Sequence, residues 1–256
     1  MRQFDDIDTL YETIYRNGIR AKPRGLYVKE LYDVSLQVKY GTVVTRNGLN
    51  QAIGIMEGLQ FIACTFDYDA IKRVAPNARL ELFTEQSAYG PRIKNMLHRV
   101  VKELKEDSDT RRAILMIANS YESGAQLPCT ISYQFHRPNE TMLNATVYMR
   151  SSDIVWGLPY DIVQFQMMLE AVAMCLGVDC GYVTIHIGNS HLYESTALNR
   201  NNEGRRYSYS SKRIEKFIPV SMSELIDIQA YCTSTINDIG TADALIAEMA
   251  WKYTND

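Results

Sequence analysis

The chain has 256 residues, 46% of them hydrophobic and 22% charged. That length is within reach of one large α/β domain with a sizeable core, and the composition is ordinary for a globular protein. With 27 basic and 30 acidic residues the net charge is −3, which excludes a sequence-independent grip on nucleic acid, a mode that needs a basic surface.

The N-terminus, "MRQFDDIDTLYETIY", has no apolar core of a secretory signal, and no apolar run reaches membrane-spanning length. The cysteines (Cys64, Cys129, Cys175, Cys180, Cys232) are odd in number and scattered, with no C-x-x-C. Neither a zinc ribbon nor a thioredoxin-like motif is written, and no metal is expected. "NET" at Asn139 and "NAT" at Asn144 match the glycosylation pattern by chance in this reading. The expectation is a reduced, cytoplasmic protein, in the host cytoplasm if viral.

In chain order, apolar residues at Ile93, Met96, Leu97, Val100, Val101 and Leu104 predict about four turns of helix. "AILMI" after "DSDTRR" reads as a short strand, and "LNATVYM" alternates as a strand with two different faces. Phe165, Met168, Leu169, Val172, Ala173 and Leu176 repeat at helical spacing, with Gly177 as a stop. "YVTIHIG" is another strand, Asn199–Arg213 a polar loop, and Ser221-x-x-Glu224 a capping box before "LIDIQAY". Interleaved helices and strands without repeats or linkers give an α/β or α+β class with a mixed sheet and one domain, 1–256.

Several residues bear on chemistry, each with a plainer alternative. Cys129 in "QLPCTISYQF" is a small buried hydrophobe or a nucleophile activated by arginines folding back towards it. Arg111 and Arg112 form a solvated strand end or a phosphate clamp. "MRSSD" combines Arg150, Ser151 and Asp153 in the same way. His191 and Tyr193, two apart on a strand, point the same way and suit one shared hydroxyl ligand, or His191 is structural. Asp161, before an apolar helical run, is a favoured N-cap.

Taken together and in order, "LPCTISYQF", "YMRSSDIVWGLPYDIVQFQMML" and "IHIGNSHLY" resemble the thymidylate synthase superfamily, from about Arg24 to Tyr193. The resemblance implies that family's fold, a mixed sheet packed with helices and a sheet-to-sheet homodimer. It also implies its chemistry: a cysteine thiolate adds to C6 of a pyrimidine nucleotide, and C5 attacks the methylene of 5,10-methylenetetrahydrofolate. By this resemblance Cys129 is the nucleophile, and Arg150 and Ser151 bind phosphate with Arg111 and Arg112 of a partner protomer. Arg24 resembles the arginine of the phosphate loop, and His191 and Tyr193 hold the sugar hydroxyl. Asp153 bonds the folate pterin, Glu57 organises water near the base, and Tyr89 assists removal of the C5 proton.

Departures from the family pattern refine the expectation. Asp161 stands where synthases carry asparagine. An amide matches uracil, which offers N3–H and O4. A protonated carboxyl matches cytosine, donating to N3 and accepting from the 4-amino group. Burial favours the raised pKa this role needs, so Asp161 is expected to select cytosine, with helix capping secondary. Thr130 replaces a histidine, and Trp156, counted with the folate site, replaces a leucine; both resemble phage deoxycytidylate hydroxymethylases. The segment from Cys64 to Tyr89 lacks the tryptophans of the synthase folate site, and the ending "AWKYTND" differs from the usual apolar tail.

The expectation is a homodimeric cytidylate (dCMP or CMP) 5-hydroxymethyltransferase in which water, held by Glu57, completes the reaction. The alternatives are a C5 methyltransferase on a cytidylate or on dUMP, and a non-catalytic nucleotide- or RNA-binding relative.

Overall fold

A computed structural model describes residues 1–76, 84–119, 127–198 and 204–218. Its centre is a mixed sheet of seven strands. The strands are β1 (Arg2–Phe4), β2 (Ile19–Ala21), β3 (Val28–Lys39), β5 (Ile114–Met116), β6 (Thr130–Asn139), β7 (Met142–Asp153) and β8 (Asp179–Tyr193). Their order is β1-β3-β8-β7-β6-β5, with β2 also paired to β3. β7 and β8 run parallel and β3 is antiparallel to β8. β4 (Thr42–Thr45) pairs separately with β9 (Ser210–Arg213).

Alternation divides the sheet into two faces. Val34, Leu36, Tyr133, Phe135, Val147, Met149, Ile185 and Ile187 are buried on one face. That face packs on α5 (Leu158–Leu176), the longest helix among the described residues. The partners of these residues on the other face include Ile114, Met116, Tyr148 and Tyr182, all exposed.

α5 is buried along most of its length, sandwiched between the sheet, α2 (Gln51–Ile62) and α4 (Leu97–Glu106). Its polar Gln166 is buried but saturated, bonding Thr42 through both amide atoms and the Ile162 carbonyl. α1 (Ile7–Asn17) and α2 start on side-chain caps from Asp6 and Asn50, and α3 (Tyr68–Val74) on one from Asp67. α6 (Glu194–Ala197) is a single turn after β8. No described helix is long and apolar enough to cross a membrane.

The predicted elements at 143–149, 165–176 and 182–188 lie within observed ones, the strand predicted at 113–117 is observed over Ile114–Met116, and Gly177 ends α5 in the left-handed conformation at φ 67°. Three expectations are corrected. The helix predicted from Ile93 begins at Leu97, because Pro91 starts a separate 3-10 turn and Asn95 turns left-handed at φ 69°. The stretch Asn199–Arg213 contains a strand, β9, paired to β4. Asp161 does not cap α5. The helix begins at Leu158 with Gly157 at its N-cap, so Asp161 lies inside the first turn with its N–H already bonded to the Gly157 carbonyl. The capping box at Ser221 lies outside the described residues.

Candidate active site

The C-terminal end of β7, the start of α5 and the end of β8 surround a cleft of about 380 Å³, a size typical of small-molecule sites. Register explains the grouping. Asp153 pairs with His191 and Ser151 with Asn189 across β7 and β8, so Ser151, Asp153, His191 and Tyr193 share one face of the sheet. Cys129 lies beside them because β6 pairs with β7, with the Arg150 N–H donating to the Cys129 carbonyl.

Of the residues singled out from sequence, Arg24, Glu57, Tyr89, Cys129, Arg150, Ser151, Asp153, Trp156, Asp161, His191 and Tyr193 all line this cleft. Arg111 and Arg112 do not. They are exposed on the approach to β5, and Arg112 pairs with Glu103 of α4 at 2.8 Å.

Two carboxyls meet at the floor. Asp161 is 7% exposed, and burial pushes its pKa up to about 7, against a hydrogen bond at 2.9 Å from the Tyr89 phenol. Glu57, on α2, is pushed up to about 8 by burial and by the charge of Asp161. Gln164 donates to Glu57 Oε2 at 3.2 Å. At neutral pH the two groups therefore retain protons that an exposed pair would have lost.

Cys129 departs from the sequence expectation. Arg150 and Arg24 do favour its thiolate, but burial and the charges of Asp161 and Asp153 outweigh them, so its pKa is raised. Arg150 is partly committed elsewhere, donating to the carbonyls of Pro128 (3.0 Å) and Leu127 (2.7 Å). The resting nucleophile candidate is a thiol.

At the end of β7, Asp153 Oδ1 accepts from the N–H groups of Val155 (2.8 Å) and Trp156 (3.3 Å). Burial pushes its carboxyl up, and His191 beside it pulls the other way. His191 Nδ1 lies 3.2 Å from Ser151 Oγ, and its ring meets Tyr193 edge-on with centroids 5.3 Å apart. The guanidinium of Arg46 lies 4.7 Å from the rings of both Trp156 and Tyr207, while the Trp156 Nε1 is buried without a partner.

Sequence reasoning missed Gln164, which lines the cleft, and Arg46, which packs on Trp156. Gln164 follows Asp161 by three residues and so shares its helix face, a readable signal. Arg46 carries no such signal, since only the fold brings it onto Trp156.

The sequence profile of the thymidylate synthase family matches residues 77–237. A thymidylate synthase of Mycoplasma genitalium is 32% identical over 114 residues, 42% of this chain and 39% of that protein. A deoxyuridylate hydroxymethyltransferase of Bacillus phage SP01 is 23% identical over an alignment of 262 residues, 90% of this chain and 68% of that protein. Another deoxyuridylate hydroxymethyltransferase, from Pseudomonas phage M6, is 29% identical over 158 residues, 57% of this chain and 45% of that protein. The first and third matches span less than half of each relative. With the profile covering well over half of its residues, the chain belongs to the thymidylate synthase family.

Proposed function

We propose that this protein is a cytidylate 5-hydroxymethyltransferase. The observation that carries the base assignment is the buried Asp161, whose pKa near 7 leaves a proton available for N3 of cytosine at working pH. When the carboxyl gives that proton towards N3, C6 becomes more electrophilic. Cys129 Sγ then bonds to C6, the C5=C6 electron pair shifts into the C4–N3 unit that now carries the proton, and the thiol proton passes to solvent. The raised pKa of Cys129 fits attack on an activated base rather than a standing thiolate.

Arg24, Arg150 and Ser151 hold the phosphate in this reading, joined by Arg111 and Arg112 of a second protomer, and His191 and Tyr193 hold the sugar hydroxyl. Glu57, fixed by Gln164, holds the water that supplies the hydroxyl of the product. Tyr89 stands beside Cys129, where proton removal from C5 takes place.

The residues at the Asp153 wall fit a pterin. Asp153, with one oxygen committed to backbone N–H groups, and Trp156, whose indole N–H is buried and without a partner, both line the cleft. Bound there, 5,10-methylenetetrahydrofolate would supply the one-carbon unit. Asp153 and Trp156 would hold and orient it.

The homodimer rests on the open sheet face, where exposed Ile114, Met116, Tyr148 and Tyr182 would be covered by a second copy. The reading takes 1–256 as one catalytic domain. A second reading, hydroxymethylation of dUMP, is favoured by the names of the two phage relatives. A methyl product is favoured by the Mycoplasma genitalium relative.

The test offers CMP, dCMP and dUMP tritiated at C5, with and without methylenetetrahydrofolate, and follows tritium release and product mass. Release from a cytidylate, with a hydroxymethyl product and loss of release in Cys129→Ser, is the expected result. Release from dUMP alone would overturn the base assignment. A methyl product would overturn hydration, and tight binding without release would favour a non-catalytic relative.

A further inference from the structure

The Tyr89–Asp161 hydrogen bond gives the phenol a second purpose. The phenol donates to Oδ1 of Asp161 at 2.9 Å, which makes Oδ1 an acceptor and excludes the carboxyl proton from the side of that oxygen facing Tyr89. The other oxygen, Oδ2, faces Gly157. A Cβ added to that glycine would lie in ordinary contact with Oδ2, at 3.8 Å, and Gly157 and Asp161 both line the cleft.

The phenol is not free to turn away. Its ring stacks on Phe165 of α5, with centroids 6.2 Å apart and 16° between the planes. It meets Phe61 of α2 edge-on at 5.6 Å. The following residue, Gly90, fits so closely under the end of α2 that a Cβ there would lie 2.4 Å from the Gln60 carbonyl oxygen and 2.3 Å from that of Thr65. Two helices and a backbone contact therefore aim one hydroxyl at one carboxylate oxygen.

We propose that Tyr89 is a specificity-determining positioning residue: by holding Oδ1 as an acceptor, it sets the proton of Asp161 on Oδ2, so that the carboxyl presents one donor and one acceptor in the order that cytosine requires. Oδ2–H then donates to N3, and the second lone pair of Oδ1 accepts from the 4-amino group. Without the phenol, the proton is free to occupy either oxygen, and only one arrangement reads the base. The inference rests on the cytosine reading of Asp161, and it is separate from any part Tyr89 takes in removing the C5 proton.

The titratable groups facing Asp161 are Glu57 from α2, Cys129 at the head of β6, and Tyr89 itself. Arg150, Arg24 and Asp153 act on Cys129 from around the cleft. Because phosphate, His191 and these groups affect any bound nucleotide, the informative quantity is the ratio of dCMP to dUMP affinity, in which their shared effects cancel.

The experiment measures equilibrium binding of dCMP and dUMP, without folate, from mildly acidic to mildly alkaline pH. The wild-type chain should prefer dCMP, with the preference falling as pH rises through about 7, where Asp161 loses its proton. Removing the phenol in Tyr89→Phe removes a hydrogen bond that favours the carboxylate. The fall should therefore move to higher pH, and the preference at acidic pH should drop about 3- to 10-fold, the worth of one hydrogen bond. Placing 3-fluorotyrosine at position 89, a stronger donor of nearly the same shape, should move the fall to lower pH and keep the acidic preference. That arm decides the matter even if Tyr89→Phe folds poorly.

An unchanged fall and preference in both variants, with the wild-type profile as expected, would overturn the role of Tyr89 and leave the cytosine reading standing. Slower tritium release from C5 in Tyr89→Phe with unaltered binding profiles would overturn it in the same way. A wild-type chain that prefers dUMP, or shows no fall, would overturn the cytosine reading and this inference with it.

Discussion

At the scale of single residues, the site balances burial against charge, and burial wins at Asp161, Glu57 and Cys129 alike. For Cys129 this predicts slow alkylation by iodoacetamide at neutral pH, rising through the alkaline range as the thiolate forms. Asp161→Asn removes a negative neighbour and should speed alkylation at a given pH severalfold, measured as a rate of mass increase at Cys129. A rate that is fast and flat from neutral pH upward would mean that the arginines prevail. For Glu57 the prediction concerns stability. Its carboxyl has an unfolded value near 4.5 and a folded value near 8, so between these the native state keeps a proton that the unfolded chain has released. Stability therefore falls as pH rises through that window. Glu57→Gln should be more stable than wild type at pH 8, by roughly 2 to 4 kcal/mol. The two should converge in acid, as read by urea unfolding at both pH values. The chemical identity of these residues was legible in the sequence, whereas the sign of the Cys129 shift was not. It depends on how near two carboxyls lie to one sulfur, and those three groups come from three different elements.

At the scale of elements, the site depends on how closely α2, α5 and the 3-10 turn at Gly90–Ile93 approach one another. α2 lies tight on α5 because Gly54 and Gly58 leave room. A Cβ at Gly54 would sit 3.3 Å from Val163 Cβ, and one at Gly58 would sit 2.5 Å from the flexible Met167 Sδ. That closeness brings Glu57 within reach of Gln164 and Asp161. Gly90 is less forgiving, since its neighbours are backbone carbonyls that cannot rotate away. Gly90→Ala should destabilise the protein by roughly 2 to 4 kcal/mol through this clash, visible as a lower Tm. The variant should also lose preference for dCMP, because Tyr89 is carried away from Asp161. Periodicity placed α5 and β7 within the sequence well, as both are long and strongly patterned. It misplaced the start of α4 and took Asp161 for a cap. Helix starts depend on local φ and hydrogen bonding, as at Asn95 and Gly157, which apolar spacing does not encode.

At the scale of the whole molecule, a seven-stranded sheet covers one face with helices and leaves the other open, with Ile114, Met116, Tyr148 and Tyr182 exposed. If a second copy covers this face, the chain should sediment as a dimer, twice its 29.3 kDa. Tyr148→Arg, together with Met116→Lys, should then give monomers with little tritium release. Mixing Cys129→Ser with Arg111→Ala/Arg112→Ala chains should restore part of that release, because one of the two sites in the mixed dimer has an intact cysteine and the partner's arginines. A fully active monomer would remove Arg111 and Arg112 from the site.

The sequence by itself determined the family, the class of fold and many of the residues lining the cleft, because each motif is short and local and its order along the chain is specific. Only the tertiary structure decided that Asp161 lies inside a helical turn under a tyrosine phenol, that Cys129 rests as a thiol, and that Gln164 holds Glu57. Each of those outcomes depends on distances between residues far apart in the chain, and on how much water packing excludes from between them.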